Sequence, residues 1–187
     1  MKMKQHTREQ RGVSLAEFHG SLPTLPCARC VLCFSLRTTG PSGLVQQHRR
    51  QWDPLLTWMR DRYNCDLKTT LEIETPAQSE EARASQMRLL ESLSGWQLAA
   101  LDALTTVTKS FIISWALLAE RLTVSQAFEA ARLEENFQMR QYGKVEGVYG
   151  HGIDMEFTRM SIAAAKTFNN LVSPLEPEPM LQTHKKE

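Results

Sequence analysis

The sequence predicts a mainly α protein: a C-terminal helical domain of about four to five helices, with one or two short strands as remnants of an α+β protein. Three observations predict it. Apolar residues step by three and four through residues 79–172. Helix start and stop residues punctuate that stretch at intervals suited to short connections. Two short segments, 30–36 and 67–74, instead read as strands, too few to make an independent sheet.

Taken in order, residues 1–32 form a basic, poorly ordered extension, with Pro23, Pro26 and scattered glycines through 1–26 and no sustained periodicity. Residues 33–76 are expected to hold a strand, a helix and a strand. The C-V-L-C-F-S-L run at 30–36 is short and apolar, and Gly40-Pro41-Ser42-Gly43 breaks it. Helical character starts near Leu44 and restarts at Asp53-Pro54, where Asp suits a cap and Pro the first helical position. Leu55, Trp58, Met59 and Arg62/Tyr63 follow at helical spacing. Residues 67–74 alternate in their second half and stop at Pro76.

The helical domain spans 77–173. Ser79 opens a helix running to Leu93, with acidic residues in its first turn. A long helix is expected from Gly95 to Arg121, with Leu101, Leu104, Thr108, Phe111, Trp115 and Leu118 as its buried stripe. Lys109 falls off that stripe and is expected in solvent. Thr123 and Gln126 form a capping box for a helix that Gly143 closes. Residues 144–152 form a glycine-containing loop. A last helix covers 153–172, with Met155, Met160, Ile162 and Phe168 among its apolar positions. Prolines at 174, 177 and 179 end it, and residues 174–187 are expected to be a disordered tail.

Charge and composition narrow the function. Residues 1–50 hold eight Lys/Arg against two Asp/Glu, whereas the remaining 137 hold fourteen against nineteen. A basic head on a mildly acidic body suggests a targeting segment or extension, and no basic stripe points to nucleic acid. The most apolar run, 111–119, falls far short of the roughly 18–20 residues that span a bilayer, so membrane insertion is not expected. Of the four cysteines, Cys27, Cys30 and Cys33 have thiolate-ligand spacing, but no second knuckle follows. Thiols in a strand-like segment are the favoured reading, and neither metal nor cofactor is expected. No histidine lies in a nucleophile motif and no phosphate-binding glycine pattern is present, so an enzyme is not expected.

Three ordered blocks give the chain a likeness. They are G-L-V-Q-Q-H-R-R-Q-W-D-P-L-L-T-W (43–58), W-Q-L-A-A-L-D-A-L-T-T-V-T-K-S (96–110) and A-E-R-L-T-V-S-Q-A-F-E-A-A-R-L-E-E-N-F-Q (119–138). Over residues 33–172 the chain resembles the assembly chaperones of the F-type ATP synthase that escort the alpha subunit of its catalytic head. The resemblance implies a non-enzymatic protein of the mitochondrial matrix that binds that subunit. It also implies an N-terminal β-rich domain, which the residues upstream of Cys33 do not supply. A truncated gene model or an alternative start is expected, ahead of a genuine short isoform.

Six residues are singled out as partner-binding candidates: Glu134, Glu135, Gln138, Arg132, Trp52 and Asp53. Trp52 and Trp58 flank Asp53-Pro54 and are expected chiefly to anchor the first helix. On a continuous helix, Val124, Ala127, Phe128 and Ala131 make a stripe that lands next on Glu135 and Gln138, with Glu134 at its edge. A carboxylate on a core stripe needs a pair or a wet groove. The two readings are a pair with Arg132 or Arg140 that finishes the helix, and a partner contact. The rival to a chaperone is a generic helical interaction domain.

Overall fold

A computed structural model describes residues 37–72, 76–147 and 150–172. The basic extension, the expected strand at 30–36, the Cys27/Cys30/Cys33 cluster and the C-terminal tail lie outside the described residues. Within them the chain is mainly helical, in eight helices. They are α1 (Ser42–Gln51), α2 (Asp53–Tyr63), α3 (Glu80–Glu91), α4 (Gly95–Thr108), α5 (Phe111–Leu118), α6 (Val124–Ala131), α7 (Leu133–Tyr142) and α8 (His151–Val172).

α5 is the centre. Its sequence F-I-I-S-W-A-L-L is apolar all round, and every residue of it is buried, as a helix without a polar face must be. α4, α6, α2 and α8 pack around it, while α8 also lies along α4 and α6. The α1–α2 corner closes one side, α2 resting on α5 and α1 on α7. Phe128, Met59, Leu104 and Ile162 are fully buried where these helices meet.

Two expected long helices are each broken once. The run expected to extend from Gly95 to Arg121 stops at Lys109, which adopts the left-handed conformation (φ 57°), and restarts at Ser110. Its Oγ accepts from the Ile113 N–H at 3.3 Å. Thr108 Oγ1 and Ser114 Oγ lie 2.8 Å apart, and Ser114 donates to the Ser110 carbonyl, so the buried break leaves its hydroxyls satisfied. All six residues of the expected stripe are nonetheless buried. The helix closed by Gly143 breaks at Arg132 (φ −106°, ψ 20°), which ends α6 and precedes α7.

The caps follow the sequence closely. Ser79 accepts from the Ala82 N–H at 3.2 Å, and Thr123 and Gln126 form both bonds of their capping box. Gly143 caps α7 with its N–H on the Met139 carbonyl. Asp53 differs: α2 has no side-chain cap, and the carboxylate faces Arg37 instead. The strand expected at 67–74 does not form over its described part. The Gln78 side chain takes both the N–H and the carbonyl of Lys68, at 2.8 and 3.1 Å, leaving neither for a strand neighbour. Among the described residues Thr70 alone keeps a β-type pairing, and its carbonyl accepts from the Arg37 N–H at 2.7 Å.

Candidate functional site: two charged clusters at the α6–α7 break

The first cluster is built by the tight joint between α1 and α2. His48, in the last turn of α1, stacks on Trp52 with ring centroids 4.2 Å apart and planes 16° apart. Both rings are buried. The indole N–H of Trp52 donates to the Ala130 carbonyl at 2.9 Å. That carbonyl lies in the last turn of α6, where helix geometry leaves acceptors without an intrahelical donor. The Arg37 guanidinium sits 5.4 Å from the Trp52 ring centroid and bonds Asp53 Oδ1 at 2.7 Å. Burial lowers the Arg37 pKa from its ordinary value, and the charges of Asp53 and Glu134 oppose that shift. Glu134 Oε1 approaches His48 Nε2 to 3.1 Å, without the alignment of a hydrogen bond.

The second cluster surrounds Arg132. Its side chain is 8% exposed, and it reaches Asp154 through Nη1 and Glu135 through Nη2, the latter at 2.9 Å. Thr158 Oγ1 is 3.5 Å from Nη1. Lys109, projecting from the α4–α5 break, places Nζ 3.6 Å from Glu135 Oε1. One guanidinium therefore ties α7 to α8 at the point where the backbone leaves α6. Beside it Arg159 lies over the Phe128 ring, 4.6 Å from its centroid.

The structure brings Trp52, Asp53 and Glu134 into the first cluster and Arg132 and Glu135 into the second. Gln138 is exposed on α7, one turn beyond Glu134. The continuous stripe invoked for Glu135 does not exist, because the break at Arg132 resets the helix. Leu133 and Met139 are the buried residues of α7, and both glutamates fall in its first turn, where carboxylates suit the helix dipole. Their outward oxygens remain accessible, since the Glu134 and Glu135 side chains are 46% and 43% exposed. Sequence reasoning missed His48, Arg37, Lys109 and Asp154. His48 had a signal, since it stands one helical turn before Trp52. Asp154 had none, because only the tertiary fold brings it to Arg132.

Among the described residues no group of three or more His, Cys, Asp or Glu converges as a metal site. No described helix is long and apolar enough to cross a membrane. Two open clefts share Pro54 and Arg121; the one between α2 and α6 has a volume of about 440 Å³ and includes Leu55, Leu122 and Glu129 in its lining.

The three sequence blocks meet here. Trp52 of the first touches Ala130 of the third, and Lys109 of the second pairs with Glu135 of the third. Gly43, opening the first block, lies against Phe137, to which a Cβ would stand 3.3 Å away.

No protein-family model matches the chain. It is 24% identical over 157 residues to the mitochondrial protein atp12 of Schizosaccharomyces pombe, across 82% of this chain and 53% of the relative. The chain thus spans about half the length of that relative. The crystal structure of Atp12 from Paracoccus denitrificans superposes with a TM-score of 0.70 at 23% identity, covering 77% of this chain and 60% of that one. The Atu1473 protein of Agrobacterium tumefaciens gives 0.67 at 26% identity, covering 76% and 55%. The resemblance of this chain to the ATP synthase assembly chaperones is therefore matched in sequence by the mitochondrial atp12 and in fold by the bacterial Atp12.

Proposed function

We propose that this chain is an assembly chaperone that holds the unassembled alpha subunit of the F-type ATP synthase catalytic head until beta subunits displace it. It acts in the mitochondrial matrix, without catalysis and without a cofactor. The observation that supports this reading is the meeting of the three family-like blocks around the α6–α7 break. A binding protein needs a surface ordered before its partner arrives, because ordering it afterwards subtracts from affinity. Here the break is fixed from two sides, by the Trp52 indole and by the Arg132 guanidinium. Binding the free subunit lowers the population available to aggregate, and the reaction needs no nucleotide cycle. The mitochondrial designation of the Schizosaccharomyces pombe relative supports the compartment.

The test is capture from cells that lack the beta subunit. The tagged chain is expected to enrich the alpha subunit over an unrelated helical protein with the same tag, and added beta subunit is expected to release it. No enrichment would overturn the reading and leave a generic helical interaction domain in its place.

A further inference from the structure

α8 carries two apolar faces, and the described fold covers one. Ile162 is fully buried, and Met155 and Ala165 pack against the core beside it. On the opposite side Ile153, Phe157, Met160 and Leu171 are 57%, 67%, 63% and 80% exposed, and Phe168 is 38% exposed. Positions 153, 157, 160, 164, 168 and 171 are separated by steps of three or four, so all six lie within an arc of about 80°. Trp96, 66% exposed, extends the stripe through an edge contact with Phe168, centroids 6.2 Å apart. At about 200 Å² for each fully exposed aromatic side chain and less for Ile, Met and Leu, the patch presents roughly 600 Å². That lies at the top of the roughly 300–600 Å² of the largest patch on a typical monomer and approaches the ~800 Å² each partner gives to a stable interface.

The geometry points to a second copy of this chain as the occupant, with two α8 helices packed antiparallel through the stripe. Its residues are arranged to face themselves. Bulky side chains stand toward both ends, whereas Ala164 in the middle, flanked by Ser161 and Ala163, lets two backbones cross closely. With the crossing at Ala164, Phe157 meets the partner's Leu171, and Met160 meets the partner's Phe168. Charge selects the direction. Glu156 flanks the start of the stripe, where Asp154 is already neutralised by Arg132, while Thr167 and Asn170 flank its far described end. An antiparallel pair sets the acidic end against an uncharged one, whereas a parallel pair would oppose like charges. Because both copies use the same patch, the contact closes at two and does not propagate. Nothing in this inference depends on which ATP synthase subunit, if any, the chain binds.

Sedimentation velocity on the full chain tests it, using Phe157→Glu and Leu171→Lys. Wild type is expected to sediment as a dimer that dissociates on dilution. Each variant alone is expected to be monomeric and to melt where diluted, dissociated wild type melts, both sites being exposed. An equimolar mixture of the two is expected to dimerise, since one antiparallel contact then pairs Glu with Lys and the other stays Phe on Leu. A parallel pair gains no such contact, and a misfolded variant would not be rescued by mixing. A monomeric wild type, a dimeric single variant or a mixture that stays monomeric would each overturn the proposal.

Discussion

The indole N–H of Trp52 donates to the Ala130 carbonyl at 2.9 Å across 78 residues of chain, joining the α1–α2 corner to the end of α6. Both residues are buried, so no water replaces the donor if it is lost. Trp52→Phe is expected to cost about 1–3 kcal/mol, most of it from the carbonyl left without a partner. Urea unfolding checks this, and a loss below about 0.5 kcal/mol would mean the bond does not fasten the corner.

Arg132 holds two carboxylates that are themselves in contact with water, Asp154 at 63% and Glu135 at 43% side-chain exposure. Breaking a fully buried pair costs about 3–5 kcal/mol, but here the stranded partners can rehydrate. Arg132→Met is therefore expected to cost about 1–2 kcal/mol. Arg132→Lys is expected to recover little of it, because a single ammonium cannot bridge carboxylates that the planar guanidinium reaches with separate nitrogens. Thermal melts of the two variants make the comparison.

The legible part of this fold was its faces and caps, and the illegible part was its breaks. The stripe from Leu101 to Leu118 predicted the buried residues of α4 and α5 although the helix between them is interrupted. Burial depends on which side a residue faces, and a short restart changes that little. The break at Lys109 did leave a sign, since Ser110 before F-I-I can cap a helix. The break at Arg132 hid itself, because no side chain caps α7 and its acidic first turn read as the middle of a longer helix. The same error placed Glu135 on a core stripe. Arg132, Glu134 and Glu135 were singled out from the sequence, yet His48 and Asp154, which lie beside them, come from distant parts of the chain that no local pattern links to them.

Lys109 adopts φ 57°, a conformation that costs a non-glycine residue about 1 kcal/mol. Its pairing with Glu135 spans 3.6 Å, and its side chain is 66% exposed, so the pair contributes at most about 0.5 kcal/mol. Lys109→Gly is accordingly expected to raise stability by roughly 0.5 kcal/mol, since relief of the backbone outweighs the lost pair. A lowered melting temperature would show that the Lys109–Glu135 contact is stronger than its exposure suggests.

Glu134 and Glu135 separate structure from binding, because their structural contributions are small. Glu134 lies 3.1 Å from His48 Nε2 without hydrogen-bond alignment, and Glu135 shares Arg132 with Asp154. Both side chains are more than two-fifths exposed, so solvent screens each interaction. Glu134→Gln and Glu135→Gln, made singly, are expected to lose under about 1 kcal/mol of stability, within what partly exposed pairs contribute. Loss of a carboxylate that touches the alpha subunit removes about 1–3 kcal/mol of affinity, a several-fold to hundredfold drop. The expected outcome for a surface that holds the subunit is therefore capture that falls while the melting temperature holds. Melting and alpha-subunit capture measured side by side decide the matter. If both fall together, the carboxylates act by fixing the α6–α7 break. Unchanged capture with an unchanged melt would mean that the subunit binds elsewhere and that this pair only completes the first turn of α7.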